Sequence, residues 1–221
     1  MVERIIVGPL STNCYLYSRW KKECLIIDPG GDPDKIIAHM TGKNLTPRGI
    51  ILTHGHLDHI AALGKILDHY LDKDILIKIA AHPKDKQFFG PIARAVHQSG
   101  FVEMGSQANA LFEELYHPIP DLDIFLDENE SVFDCDLQVL YTPGHTEGGV
   151  SFYSEESGEL FSGDTLFFEG VGRTDLPGGD QKLLIQSIKE KLLSLPDATR
   201  VFPGHGPITS IERERSHNPF L

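Results

Sequence analysis

Four positions within six residues carry the most readable chemistry. The run Thr53-His54-Gly55-His56-Leu57-Asp58-His59 puts three imidazoles and a carboxylate into one short segment. Imidazole nitrogen and carboxylate oxygen, with no thiolate among them, are donors that suit Zn²⁺, Fe or Mn²⁺. With 11 His in 221 residues, the pattern H-x-H-x-D-H is expected in roughly 0.2% of shuffled copies of this chain. The apolar run Ile50-Ile51-Leu52 reads as a strand that delivers His54 and His56 into a loop, where side chains two apart converge on one ion. Asp58 and His59 fall in the first turn of the next helix, offset enough to address a second ion. A helix cap alone would not call for three histidines here.

Three later segments repeat the device. Leu137 to Tyr141 leads into Thr142-Pro143-Gly144-His145, Leu160-Phe161 into Ser162-Gly163-Asp164, and Arg200-Val201-Phe202 into Pro203-Gly204-His205-Gly206. In each, an apolar strand ends, a glycine permits a tight turn, and a potential ligand follows at the strand's C-terminal end. Ligands of layered α/β folds gather at such ends. Four strand ends offering His, His, Asp and His point to one shared edge.

The positioning elements can be read around these motifs. Arg4–Val7, Cys14–Tyr17 and Cys24–Ile27 read as short strands. Asp32 caps a helix with Pro33 at its first position and Gly42 at its end. Gly49–Thr53 is a strand, and a helix follows over about Asp58–Leu71, with Ile60, Leu63, Leu67 and Leu71 on one face. Ile75–Ala80 returns as a strand. The stretch from His82 to about Pro120 is broken by Pro83, Gly90, Pro91, Gly100 and Gly105 yet carries five aromatic residues. It reads as a partly helical insertion, either a lid over a site or extra core packing. Ile124–Phe161 alternates as a β-meander, Asp180 caps a helix presenting Leu184, Ile188 and Leu192, and Arg200–Phe202 is a last strand. Thr209-x-x-Glu212 is a capping box that opens a terminal helix. The order is that of an α/β protein with at least two sheet layers.

Composition narrows the class. Forty per cent hydrophobic and 24% charged residues describe an ordinary globular chain, and no apolar run approaches the ~18 residues of a membrane span. The three cysteines, Cys14, Cys24 and Cys135, have no C-x-x-C spacing and make no disulfide framework. With no signal-peptide pattern at the N-terminus, a cytoplasmic setting is the default expectation. The net charge of −12 argues against nucleic acid as a partner. That charge is uneven: Ala95 to Gly172 holds 16 acidic residues and no Lys or Arg.

These motifs resemble the metallo-β-lactamase superfamily, whose signature is the H-x-H-x-D-H run. The likeness extends from Asn13-Cys14-Tyr15 and Asp28-Pro29-Gly30 to the C-terminus. It implies a single domain over 1–221 with a four-layer αββα sandwich and the metal site on one edge. It also implies a ligand set: His54, His56 and His145 on a first metal, Asp58, His59 and His205 on a second, and Asp164 bridging. Two divalent ions are expected, zinc first, with Fe or Mn as alternatives; on the implied set they would outweigh Asp58, Asp164 and one hydroxide, so a locally positive pocket suits a small anionic substrate. His56 where the flavodiiron branch has Glu, and Asp164 rather than Cys, argue against those proteins and against the secreted zinc β-lactamases.

Gly163-Asp164-Thr165-Leu166-Phe167 and Gly172-Arg173-Thr174-Asp175-Leu176-Pro177-Gly178-Gly179 look like the hydroxyacylglutathione hydrolase (glyoxalase II)-like group. The ending from Thr209 to Phe220 is similar to its short-chain members. The resemblance implies thioester hydrolysis by a hydroxide bridging two metals, with Asp58 both ligating and orienting it. Full glyoxalase II proteins add a helical C-terminal domain that supplies glutathione-binding groups, whereas 16 residues follow His205 here. The expectation is therefore thioester chemistry without the glutathione preference. Arg173 either replaces some of the missing positive charge or holds a turn through a salt bridge. Asp28 either accepts the second N–H of a ligand imidazole or starts the turn before Pro29. The alternatives in function are a mononuclear-iron persulfide dioxygenase, using His54, His145 and Asp164, and a lactonase. His39, His69, His82, His97, His117 and His217 lack ligand spacing and are read as surface or turn residues, with His82 and His117 bracketing the insertion.

Overall fold

The computed structural model describes residues 1–103 and 106–221. The chain opens with β1 (Val2–Val7), β2 (Thr12–Tyr17), β3 (Glu23–Ile27), α1 (Pro33–Gly42) and β4 (Thr46–Ile51), followed by α2 (Leu57–Ile60), α3 (Leu63–Leu71) and β5 (Ile79–Ala81). Two 3₁₀ turns, Pro83–Phe88 and Gly90–Ile92, then lead to α4 (Ala93–Glu103), α5 (Ser106–Leu115) and β6 (Ile124–Phe125). The second half supplies β7 (Leu137–Tyr141), β8 (Val150–Ser154), β9 (Glu159–Gly163), β10 (Leu166–Phe167), β11 (Gly170–Val171) and α6 (Gln181–Ser187). It closes with β12 (Arg200–Pro203), β13 (Thr209–Ser210) and α7 (Ile211–His217).

Six strands form one sheet in the order β1-β2-β3-β4-β5-β6, and five form another in the order β13-β12-β9-β8-β7. Strands β3 to β6 run parallel to one another, as do β9 and β12, so several chain ends leave at a common edge. Strand alternation explains the layering. Tyr15, Ile27, Ile51 and Ala80 pair across four strands and face the second sheet, which answers with Val139, Phe152, Phe161 and Phe202. The Tyr15 ring meets Phe161 at 5.3 Å and Phe202 at 5.7 Å, edge to face. Each such aromatic pair adds about 0.5–1.5 kcal/mol to the burial itself.

The residues one position along, Leu16, Ile26, Ile50 and Ile79, point the other way into α1, α3 and the insertion. On the far side Tyr153, Leu160 and Val201 pack against Leu184, Ile188, Leu192 and Ile211. Helices therefore flank both sheets, as an αββα sandwich requires. None of the described helices is long and apolar enough to cross a membrane.

Several expected boundaries move. The helix expected over Asp58–Leu71 is two, because Ala62 N turns aside to the Pro29 carbonyl at 3.0 Å. Its buried face is Leu63, Ile66 and Tyr70, while Leu71 is 56% exposed. Asp32 occupies the cap position of α1, but its carboxylate accepts from Gly8 N instead. The terminal helix is capped by Ser210, which accepts from Arg213 N, while Thr209 donates to Glu214. Asp180 does cap α6 through Leu183 N, and a π turn over Ile188–Leu192 extends that helix. The insertion is helical over most of Pro83–Leu115; the break expected at Gly105 lies outside the described residues.

Candidate metal centre

Every strand end singled out in the sequence arrives at one place. His54 and His56 leave the C-terminal end of β4, and Asp58 and His59 stand on α2. His145 follows β7, Asp164 follows β9 and His205 follows β12. The potential ligand atoms of His54, His56 and His145 lie within 4.8 Å of one another, and so do those of Asp58, His59 and His205. Asp164 stands between the groups: Oδ1 is 3.3 Å from His59 Nε2, and Oδ2 is 3.6 Å from both His145 Nε2 and His205 Nε2.

Backbone economy makes this convergence possible. A Cβ on Gly30 would fall 1.6 Å from the Asp58 carbonyl, so only glycine lets the β3 turn pass under α2. A Cβ on Gly204 would lie 2.2 Å from Asp164 Oδ1 and 2.7 Å from His59 Cε1. The loop carrying His205 is also tied to β2. Asn13 Nδ2 donates to the Pro203 and Gly206 carbonyls, and Tyr15 OH donates to Pro203 at 2.7 Å. Thr12 Oγ1 donates to Asp58 Oδ2 at 3.3 Å.

The outer ring nitrogens are pinned. His59 Nδ1 donates to Asp28 Oδ2 at 3.0 Å, His145 Nδ1 to the Arg173 carbonyl at 2.7 Å, and His205 Nδ1 to the Leu10 carbonyl at 3.2 Å. An acceptor at Nδ1 puts the proton there, so each neutral ring turns an Nε2 lone pair inward. The Nε2 atoms of His59 and His205 consequently face each other at 3.4 Å, with Asp58 Oδ2 at 3.6 and 3.2 Å from them. His54 Nε2 and Asp164 Oδ1 are buried without a hydrogen-bond partner. Converging lone pairs and orphaned buried acceptors are what a divalent cation satisfies, so the donor set fits metal ions.

The electrostatics agree. Burial, reinforced by the imidazoles of His59 and His145, drives His54 well below the ordinary histidine range. Burial and His145 push His56 down to about 3. His59 goes the other way: burial opposes its charge, but Asp164 and Asp58 outweigh that and hold it well above the usual range. Burial likewise opposes ionisation of Asp58 and Asp164, and the His59 charge overcomes it in both. Positive charge is wanted between these groups.

Arg173 lines the cavity above the cluster, but its guanidinium makes two 2.7 Å bonds to Asp175, and its carbonyl is what orients His145. Two histidines read as surface or turn residues are buried. His82 stacks on Tyr141 at 4.4 Å, and His97 Nε2 donates to the Phe88 carbonyl at 3.1 Å on the cavity wall, because the insertion folds back over the edge. His117 stands apart, beside α1 and α5.

Sequence reasoning missed Asp85. Fully buried, it accepts from Gly55 N at 2.9 Å, Thr146 Oγ1 at 2.8 Å and Gly148 N at 2.7 Å, clamping the first histidine loop to the loop of His145. Burial raises its pKa against those three bonds. The available signal was positional: Asp85 follows the C-terminal end of β5, as the other site residues follow theirs.

Residues 7–205 match the family model of the metallo-beta-lactamase superfamily. The chain belongs to that superfamily. Among curated relatives of this superfamily member, the probable metallo-hydrolase YqgX of Bacillus subtilis is 39% identical, over 99% of this chain and 96% of its own. The hydroxyacylglutathione hydrolase GloC of Haemophilus influenzae is 33% identical, over 100% and 97%. Among solved structures, the B3 metallo-beta-lactamase BLEG-1 matches with a TM-score of 0.87 and 37% identity, covering 100% of this chain and 99% of that one. TTHA1623, in a di-iron-bound form, gives 0.82 at 38% identity over 99% and 100%. ETHE1 from Myxococcus xanthus gives 0.75 at 25% identity over 99% and 83%. Fold, superfamily and the His/Asp clusters together describe a metal-dependent enzyme of hydrolase type.

Proposed function

We propose that this superfamily member hydrolyses small acyl thioesters at a dinuclear centre. His54, His56 and His145 would hold one ion, Asp58, His59 and His205 the other, with Asp164 between them. Zinc is the proposed occupant, and the di-iron form of TTHA1623 makes iron the alternative to test. The observation that carries the reading is the inward set of lone pairs, two sub-clusters sharing Asp164. The likeness to GloC supports thioesters as the substrate class.

When bound, divalent ions lower the pKa of water toward neutrality and polarise a carbonyl. The chain's own residues do the rest. Asp58, its side chain 18% exposed at the cavity floor, would orient an attacking water through an accepted hydrogen bond. Asp28, Arg173 and Leu10 fix three imidazoles so that no reorganisation is needed during turnover. A thiolate leaves readily, so no strong general acid is required, and among the described residues none other than the clustered groups lines the floor.

A second reading, a mononuclear-iron persulfide dioxygenase, rests on the Gly172-Arg173-Thr174-Asp175 segment and the likeness to ETHE1. Elemental analysis of the purified protein separates the two when paired with turnover of S-lactoylglutathione, a simple acyl thioester, a lactone and a β-lactam. About two metals per chain with thioester turnover, lost by roughly a hundredfold or more in Asp58→Ala, supports the hydrolase. One iron with oxygen consumption on a persulfide overturns it.

A further inference from the structure

The cavity above the cluster has a volume of about 600 Å³, ample for a drug-sized ligand. Apart from Arg173, the charged side chains that line it lie at the floor, with His56, Asp58, His145, Asp164 and His205. The walls are different. Phe88, Val96 and Phe101 come from the insertion, Leu10 from the β1–β2 turn, and Phe167 and Leu176 from the second half. Among the described residues, the one Lys or Arg on the wall, Arg173, is already bidentate to Asp175, and the carboxylates that line the cavity are the two at the floor.

Gly100 adds an independent observation. It lies within α4 on the cavity wall, and a Cβ there would meet nothing within 4 Å among the described residues. Glycine inside a helix costs about 1 kcal/mol relative to alanine. Helix stability is given up at a point that lines the cavity.

We infer that the preferred substrate carries an uncharged apolar arm of several carbons, lodged against Phe88, Val96 and Phe101 while its thioester carbonyl meets the floor. This rests on the thioester reading and adds the substrate's shape to it. The positive character of the site attaches to the reacting carbonyl, whereas a carboxylate on an arm lodged between Phe88, Val96 and Phe101 would lose its hydration against apolar side chains, Gln87, His97 and Ser99 being the polar groups of the same wall. The arm is either the acyl chain or the thiol's substituent, since both flank the carbonyl carbon.

A series of N-acetylcysteamine thioesters from acetyl to octanoyl, beside acetyl esters of increasingly long alkanethiols, tests the inference on the metal-loaded protein. On one of the two series, kcat/KM is expected to climb by roughly two- to fourfold per methylene, the upper figure being full burial of each group. Replacing hexanoyl by adipoyl, equal in length with a terminal carboxylate, is expected to erase that gain. Gly100→Leu fills the wall while favouring the helix, and is expected to lower the octanoyl-to-acetyl ratio of the responsive series about tenfold or more. Turnover that stays flat or falls with length in both series, or, where the acyl series is the responsive one, an adipoyl thioester as good as the hexanoyl one, overturns the apolar arm alone. No turnover of any thioester, S-lactoylglutathione included, overturns the thioester reading and the arm with it.

Discussion

Asp28 Oδ2 stands 3.0 Å from His59 Nδ1 and 2.6 Å from Thr53 Oγ1, so one carboxylate orients an imidazole and the turn that introduces the histidine loop. Its other oxygen accepts from Thr53 N. Asp28 has a φ of 51°, in the left-handed region that asparagine also tolerates. Asp28→Asn therefore keeps the turn and weakens the acceptor for His59. Metal affinity is expected to fall by about 10- to 100-fold. Chelator competition measures it, and an unchanged affinity would contradict the positioning role.

The three donors on Asp85 give a second expectation. Asp85→Ala leaves Gly55 N, Thr146 Oγ1 and Gly148 N without their acceptor in a buried place. Stability should fall by on the order of 3 kcal/mol, since each orphaned donor costs about 1–3 kcal/mol and some will find water. Urea unfolding reads the loss, and a change below about 0.5 kcal/mol would refute the clamp.

Gly204→Ala tests the packing between two strand ends. Its Cβ would sit 2.2 Å from Asp164 Oδ1, and the neighbour is a site carboxylate wedged beside His59. Turnover should fall by at least about a hundredfold, the scale that small misplacements of reacting groups reach. Circular dichroism should show the fold retained. Wild-type turnover in this variant would mean that the His205 loop has slack the packing does not suggest.

Acid sensitivity has a contributor outside the cluster. Burial pushes His97 down to about 4, although its bond to the Phe88 carbonyl works in the opposite direction. In the unfolded chain this ring takes up its proton near pH ~6.5. Between ~6.5 and about 4 the unfolded state thus binds the extra proton, so stability is lost as pH falls through that window, by up to ~1.4 kcal/mol per pH unit. Comparing unfolding free energies of wild type and His97→Gln across that range should show the shallower slope in the variant. Equal slopes would remove His97 from the acid response.

What was legible in the chain were features carried by local spacing. The H-x-H-x-D-H run and the glycine-bracketed strand ends announced the cluster because each repeats one short device. Short apolar runs set off by turn residues announced β2, β3 and β4 as strands. Asp85 was not legible, since its partners lie 30, 61 and 63 residues away. Nor was the break between α2 and α3: the apolar periodicity runs through it, and the competing acceptor is the Pro29 carbonyl in a distant turn. His97 reads as a helix-surface histidine until the insertion folds over the site.

The donors divide by sheet: His54, His56, Asp58 and His59 lead from the first, and His145, Asp164 and His205 from the second. A ribosome therefore delivers them in two batches, with His205 last of all. On the proposed ligand set, the first ion has its complement once the ends of β7 and β9 are in place, and the second only when β12 has joined β9, so capture of the full pair coincides with completion of the second sheet. An ion that bridges both batches then acts as a rivet across the seam between the sheets. Stripping it would let the two halves breathe apart at that edge before either half unfolds.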